Sequence, residues 1–332
     1  MIGLDVGGAN TKAAVVDAEG RVRTASEPFE LWRAPGGLDH AIATVVGRLG
    51  LEGAPVVMST TAELVDVFES KAAGVLHVIE ATARALPAHS LRVLTVSGEL
   101  VDPARARAEP LSCAAANWVA TARFVGRTFP DAILVDCGGT TTDVVPIAAG
   151  EIAARGRTDL ERLLAGELVY TGALRTNIAA VVSEVWLAGG RCPVSSELFA
   201  IAADAHLLRG SLAPERCTCS FPDGRGTDPA HVRARLARIV CADPDQLAGG
   251  DLTAIAAAVH TAQVDAIASA LRRVAARAPS AAPVIAVGVG GFLAREAAAR
   301  VGLTVTEPRT LGLDGDGGAV AASVALSVLG RG

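Results

Sequence analysis

Lysine is nearly missing from this sequence: it occurs only at positions 12 and 71, and the other basic residues are arginine. The 30 basic side chains do not outnumber the 35 acidic ones, and a formal net charge of −5 provides no electrostatic footprint for nucleic acid. Aromatic residues are scarce at 3 %, yet 51 % of the chain is hydrophobic, which excludes a disordered polymer. The 332 residues suffice for one large domain or two ordinary ones. A basic leader is absent, and Asp5 stands where a secretory signal would have to be apolar. Long membrane-type runs are lacking as well. The stretch 278–294 carries two prolines and a glycine cluster, and 317–330 is too short to span a bilayer. A cytoplasmic protein with no membrane partner is expected. No Cys-x-x-Cys knuckle occurs, so the six cysteines read as thiols. Zinc would require four of Cys192, Cys217, Cys219, Cys241, His206 and His231 to converge, and is not expected. Nucleophilic triads have no local signature here.

What is present is a repeated glycine motif. Ile2–Val6 reads as a strand, Gly7-Gly8 as a tight turn, and Thr11–Val16 as a second strand; Asp17–Gly20 is a turn before a third strand at Arg21–Thr24. A dinucleotide-binding loop would lead into a helix, whereas this one leads into another strand. The pattern recurs at Ile133–Asp136, Gly138-Gly139, Thr140–Thr142 and Val144–Ile147. Asp5-x-Gly7-Gly8-x-x-Thr11 overlays Asp136-x-Gly138-Gly139-x-x-Thr142, which implies two similar domains facing each other. Further strands are expected at Pro55–Thr60, Leu91–Val96 and Val284–Val287. Helices are expected at Leu38–Leu49, Glu69–Leu86, Ala114–Thr128, Leu198–Leu208, His231–Val240 and Asp251–Ala276, and from Phe292. Pro214–Asp228 reads as a surface loop, and Gly315–Gly318 as the opening of a last Ala/Val-rich helix. The class is α/β.

Each turn alone would read as an ordinary hairpin with Asp as turn former; the matched pair reads instead as a phosphate site, because backbone N–H groups can approach an anion unobstructed. The candidate phosphate-binding residues are Gly7, Gly8, Asn10, Thr11, Lys12, Gly138, Gly139, Thr140, Thr141 and Thr142. Asp5 and Asp136, at the ends of their strands, are candidate holders of a hydrated Mg²⁺ against phosphate oxygens.

Leu4–Lys12, Val135–Asp143 and Val287–Gly291 resemble the two phosphate motifs and the adenosine motif of the actin, sugar kinase and heat-shock ATPase superfamily. The second motif is similar to that of its hydantoinase/oxoprolinase branch. The resemblance implies two ribonuclease-H-like domains facing a cleft, 1–127 and 128–332, the latter with a helical insertion at about 153–250. The C-terminal helix would be free to pack back on the first domain. Further segments narrow the resemblance: Gly7–Ala14, Met58–Leu64 with Phe68 and Lys71, Ala116–Trp118, Tyr170–Thr176, Glu197–Ala200 with Asp204, and Ala237-Arg238 with Cys241–Asp243. They resemble the hydantoinase/oxoprolinase-like proteins of the tetrahydromethanopterin-linked one-carbon pathway, whose archaeal relatives are methanofuran-biosynthesis synthases. Thr60-Thr61 departs from the shorter Thr-Gly expected there.

The resemblance implies a transferase that joins an aminomethylfuran-methyl diphosphate to the phenol oxygen of a tyramine- or tyrosine-type partner and releases pyrophosphate. Glu63, Lys71 and Arg175 are the candidate base or cation near that oxygen, unranked. Thr60, Thr61, Asn117, Thr171, Gly172, Gly290 and Gly291 would line the substrate or nucleotide cleft. Each has a plainer reading: Glu63 in the first turn of a helix, Lys71 solvated, Arg175 on a surface acid, Asn117-Trp118 capping and packing a helix. ATP as ligand stays open. The alternatives are an ATP-dependent kinase or amidohydrolase, and a non-catalytic nucleotide-gated module.

Overall fold

The computed structural model describes residues 1–307, 311–313 and 316–331; Gly315, read as opening the last helix, lies outside the described residues. The first sheet contains β1 (Ile2–Gly7), β2 (Asn10–Val16), β3 (Val22–Pro28), β4 (Val56–Thr61), β5 (Leu91–Leu94) and β6 (Leu100–Val101), in the order β3-β2-β1-β4-β5-β6. The second contains β7 (Ala132–Cys137), β8 (Thr142–Ala148), β9 (Glu151–Ile152) and β10 (Leu168–Val169). After a separate hairpin of β11 (Glu184–Leu187) and β12 (Gly190–Pro193) come β13 (Val284–Val287) and β14 (Val305–Thr306). Its order is β10-β8-β7-β13-β14, with β9 on β8. The repeat seen in the sequence is thus a repeat of topology. In each sheet a strand ending in the Asp-x-Gly-Gly motif pairs antiparallel with the next strand and parallel with one that arrives later.

The helices are α1 (Leu38–Gly47), α2 (Lys71–Ala85), α3 (Pro103–Ala108), α4 (Asn117–Gly126), α5 (Asp159–Ala165), α6 (Ala202–Leu208), α7 (Pro229–Arg238), α8 (Asp251–Ala275), α9 (Gly291–Arg300), α10 (Asp316–Ala319) and α11 (Ala321–Leu329). Alternation along the strands decides which helices cover which face. Ile2, Leu4 and Val6 share a core with Ile42 and Val45 of α1 and Val75 and Ile79 of α2. Ile133, Val135 and Val284 pack with Val264, Ile267 and Leu271 of α8 and Leu293 of α9. A third core joins the two sheets: Val57 and Leu94 from one, Leu134, Val145 and Ile285 from the other, with Trp118 and Val125 of α4 and Val324 and Leu326 of α11. Gly3 permits this approach, since a Cβ there would sit 1.9 Å from the Ser323 carbonyl of α11. The Ser327 hydroxyl donates to Met1 O at 2.9 Å and accepts from Val16 N–H at 3.1 Å. The C-terminal helix thereby lies on β1 and β2.

Two expectations change. The stretch 153–250 carries α5, α6 and α7 but also β10 and the β11–β12 hairpin, so it is not purely helical. Pro214–Asp228 is not a plain surface loop: Phe221 is buried and lies under the Arg235 guanidinium at 4.0 Å. Arg235, fully buried, bonds Asp204 and Asp223, and these pairings draw the polar loop inward. By length and composition α8 could cross a membrane. Its apolar residues Ile255, Val259, Val264, Ile267 and Leu271 are packed into two cores.

Candidate functional site

Both glycine turns open onto one cleft of about 570 Å³. Gly7, Gly8, Asn10 and Lys12 line it from the first turn, and Gly138, Gly139, Thr140 and Thr141 from the second. Thr61 ends β4 and Glu63 and Asp66 follow it, Asn117 and Trp118 begin α4, Asp159 and Arg162 belong to α5, and Tyr170, Leu174 and Arg175 follow β10. Trp32 and Cys219 complete one end.

Register places the charges on the cleft floor. Asp5 stands opposite Lys12 on β2 and beside Ser59 on β4, whose hydroxyl donates to Asp5 Oδ1 at 2.9 Å. In the second copy Asp136 stands opposite Asp143. Lys12 and Asp143 thus hold matching places in the repeat with opposite charge. Asp143 also lines the cleft and pairs with buried Arg162 at 2.7 Å. Its position seven residues after Asp136 mirrors Lys12 after Asp5, a sequence signal for a site residue that the candidate set above lacks. Burial pushes the Asp136 carboxyl up to about 7, helped by the Asp143 charge and opposed by Lys12. Asp5 is raised for the same first reason, with Lys12 and the Ser59 hydrogen bond working against it.

Such a floor of desolvated carboxylates fits a divalent cation, whose charge would relieve their repulsion. Among the described residues no group of three or more His, Cys, Asp or Glu is arranged as a closed metal cage. A pair of carboxylates is the kind of donor set that Mg²⁺ takes, together with phosphate oxygens and several retained waters.

Glu63 does not lie in a helix. It sits in the irregular segment between β4 and α2, with the carboxylate 2 % exposed and Oε2 without a partner. Burial raises it to about 7, while the Ala115 N–H and the Lys71 charge pull it down. Ala115 is held at φ 51, a left-handed conformation that costs a non-glycine residue energy and marks a constrained site. Lys71 itself is not on the cleft wall. As first residue of α2 its ammonium pairs with Asp159 at 2.9 Å, so it is engaged rather than solvated. Arg175 does face the cleft and, among the described residues, pairs with no surface acid: its guanidinium lies 4.4 Å from the Trp32 ring centre.

Other candidates stand behind the wall. Thr11, Thr60 and Thr142 are buried. Thr60 Oγ1 accepts from Ala62 N–H at 3.2 Å, and Thr142 Oγ1 donates to Thr171 O at 2.8 Å. Thr171 and Gly172 support the second turn from beneath. A Cβ on Gly172 would lie 2.6 Å from Thr140 N and 2.7 Å from Gly138 O. Gln263 on α8 donates from Nε2 to Thr171 Oγ1 at 2.7 Å and to Gly172 O at 2.8 Å, and its Oε1 accepts from His206 Nε2–H at 2.8 Å. Gly290 packs on Cys137, where a Cβ would meet Sγ at 2.4 Å, and Gly291 starts α9; neither lines the cleft. Gly288 and Val289 reach only a recess of about 80 Å³ beside Asp136. Asn117 Oδ1 accepts from Trp118 N–H at 2.8 Å, and Trp118 is buried under the Arg162 guanidinium at 4.1 Å. Trp118 packs as expected, but Asn117 is the first residue of α4 and not its cap, which is Ala116 without a side-chain cap bond; both Asn117 and Trp118 also line the cleft.

Residues 56–327 match the family model described as hydantoinase/oxoprolinase. The (4-{4-[2-(gamma-L-glutamylamino)ethyl]phenoxymethyl}furan-2-yl)methanamine synthase of Methanocaldococcus jannaschii is 34 % identical over 253 residues, which cover 76 % of this chain and 74 % of that protein. The synthase of the same name from Methanococcus vannielii is 34 % identical over 154 residues, 46 % of this chain and 69 % of that protein. Among solved structures, nucleotide-free acetone carboxylase superposes with a TM-score of 0.60 at 12 % identity, covering 98 % of this chain and 69 % of its own. The ethanolamine utilization protein EutJ from Carboxydothermus hydrogenoformans gives 0.50 at 16 % identity, covering 99 % and 89 %. At these identities the structures speak for the fold alone.

Proposed function

The chain belongs to the hydantoinase/oxoprolinase family, and from that premise we propose that it is a transferase of methanofuran-type cofactor biosynthesis. It forms the aryl ether between the phenol oxygen of a tyramine- or tyrosine-type acceptor and the methylene carbon of an aminomethylfuran-methyl diphosphate, releasing pyrophosphate. The observation that carries this reading is the 34 % identity over 76 % of the chain to a synthase named for that phenoxymethyl-furan product. The cleft adds physical support.

The diphosphate lies between the two glycine turns, where Gly8, Gly139, Thr140 and Thr141 meet its oxygens and Lys12 adds charge. Mg²⁺, held by Asp5 and Asp136 through water, would supply neutralisation of the charge that builds on the leaving group. The furan ring supports positive charge at the methylene carbon as its bond to the diphosphate oxygen breaks. The phenol oxygen attacks that carbon, and its proton passes to Glu63. A free phenol has a pKa of about 10. Glu63, raised to about 7 and with Oε2 unpartnered, is a far better acceptor than water and ranks first among the three candidates. Asp159 occupies Lys71, and Arg175 is permanently charged. The recess at Gly288 and Val289, about 80 Å³, is small beside ordinary ligand pockets of roughly 300 Å³ or more, which argues against adenosine there.

Incubation with the furfuryl diphosphate and tyramine tests the reading. Pyrophosphate and the aryl ether should form in equal amounts without ATP. ADP formed from ATP, with no ether, would overturn it in favour of a kinase or amidohydrolase.

A further inference from the structure

Among the described residues three cations line the cleft: Lys12, Arg162 and Arg175. Arg162 is taken by Asp143 at 2.7 Å, and Lys12 donates to Ala319 O at 3.0 Å and stands opposite Asp5. Arg175 alone of the three has neither a carboxylate nor a carbonyl partner on its guanidinium among the described residues. Glu30, two residues before Trp32, does not line the cleft and is held by Arg33 at 2.7 Å and by the Ser220 N–H at 3.3 Å. Arg175 is nevertheless well placed. Its backbone N–H donates to Gly139 O at 2.8 Å, and its side chain stacks on Trp32, in a segment tied to the first turn by Leu31 N–H donating to Gly8 O at 3.0 Å. Stacking covers a face of the guanidinium and leaves its N–H edge, the geometry that grips a planar carboxylate with two parallel bonds.

Leu174, which packs on Gly139 of the second turn, and Tyr170 also line the cleft, Tyr170 being 58 % exposed, and Cys219 is a neutral thiol pushed up to about 11 by burial. Aromatic and aliphatic surface beside one unpaired cation suits a phenyl ring carrying an anionic tail. A diphosphate is already provided for by the glycine turns and Lys12.

Resting on the synthase reading above, we propose that Arg175 stacked on Trp32 forms a carboxylate subsite that selects phenolic acceptors bearing an amino-acid-like tail. The carboxylate docks on the guanidinium edge, and the phenol ring runs past Tyr170 and Leu174 toward Glu63.

The test uses two acceptors that differ only in the carboxylate: γ-glutamyltyramine and 4-aminobutyryl-tyramine. Each is titrated calorimetrically into the full chain with Mg²⁺ and inorganic pyrophosphate present. The parent protein should bind the carboxylate-bearing phenol at least tenfold tighter. In Arg175→Gln the ratio should fall to within twofold, Arg175→Lys should lie between, and Trp32→Leu should lower the ratio while the charge remains. Equal affinity of the two phenols for the parent protein overturns the subsite, whether or not the variants fold. Weakened pyrophosphate binding in Arg175→Gln with the phenol ratio intact overturns it too, and assigns Arg175 to the diphosphate. Turnover separates this inference from its premise. Ether formation without carboxylate selectivity removes the subsite alone, and selectivity without ether formation removes the synthase reading alone.

Discussion

Glu63 illustrates how one residue couples stability to chemistry. Its folded pKa of about 7 lies above the ordinary 4.5, so the native state holds its proton more tightly than the unfolded chain. Its contribution to stability is fully present below pH 4.5 and is lost as pH rises through about 7, on the order of 3 kcal/mol in all. Glu63→Gln should therefore flatten that part of the stability profile and make the ligand-free protein more stable at pH 8, as denaturant midpoints would show. Catalysis runs the other way, because a base must be ionised. The parent kcat/KM should rise about tenfold per pH unit below 7 and level above it, and Glu63→Gln should lose roughly 10²–10³ of it. A Gln variant with the parent pH profile would remove Glu63 as the base.

At the scale of elements, the start of α2 and the second glycine turn each make a distinct statement. Lys71 puts a positive charge at a helix N-terminus, where the dipole disfavours it, and Asp159 compensates. The pair is partly exposed, so removing it should cost only about 0–1 kcal/mol of stability. Its electrostatic reach is more telling, since the Lys71 charge holds Glu63 down. Lys71→Met should shift the rising limb of the rate profile to higher pH with little change in melting temperature; an unmoved limb would mean the two groups are uncoupled. Gly172 makes the opposite case. A methyl group there would meet Thr140 N and Gly138 O, both backbone, at under 3 Å. Gly172→Ala should cost about 1–3 kcal/mol and weaken pyrophosphate binding as well, because the turn it supports must shift. Unchanged affinity, measured by calorimetry, would show that the turn tolerates displacement.

For the whole molecule, a ligand in the cleft touches both sheets and so should stabilise them together. Mg²⁺ with pyrophosphate at a hundredfold excess over Kd should add about 2.7 kcal/mol to the stability, read as a raised melting temperature. Each alone should add less, and ATP less than the furfuryl diphosphate. Asp5→Ala or Asp136→Ala should abolish the magnesium-dependent increment while leaving the ligand-free fold intact. Persistence of that increment in both variants would move the cation elsewhere.

The local sequence determined the duplicated unit. Asp-x-Gly-Gly followed by a strand is a short-range pattern, and both copies form the antiparallel pair and the cleft-facing turn expected of them. Gly7, Gly8, Lys12, Gly138, Gly139, Thr140 and Thr141 were legible as cleft-lining residues for that reason, as was Asp5, whereas Asp136 lines only the adjoining recess. Short elements such as β9, β10 and β14 carry too few residues for a periodic signal, and they form because a sheet edge is there to pair with. Only the tertiary structure decided which threonines face the cleft and which brace it from behind, since Thr141 and Thr142 differ by one step along a chain whose side chains alternate. Only it brought Asp143 and Trp32 to the wall, gave Lys71 to Asp159, and, among the described residues, left Glu63 Oε2 without a hydrogen-bond partner and the Arg175 guanidinium without a carboxylate. Burial and partnership depend on contacts between residues far apart in sequence, and those two quantities set a carboxylate's proton affinity and an arginine's freedom to bind.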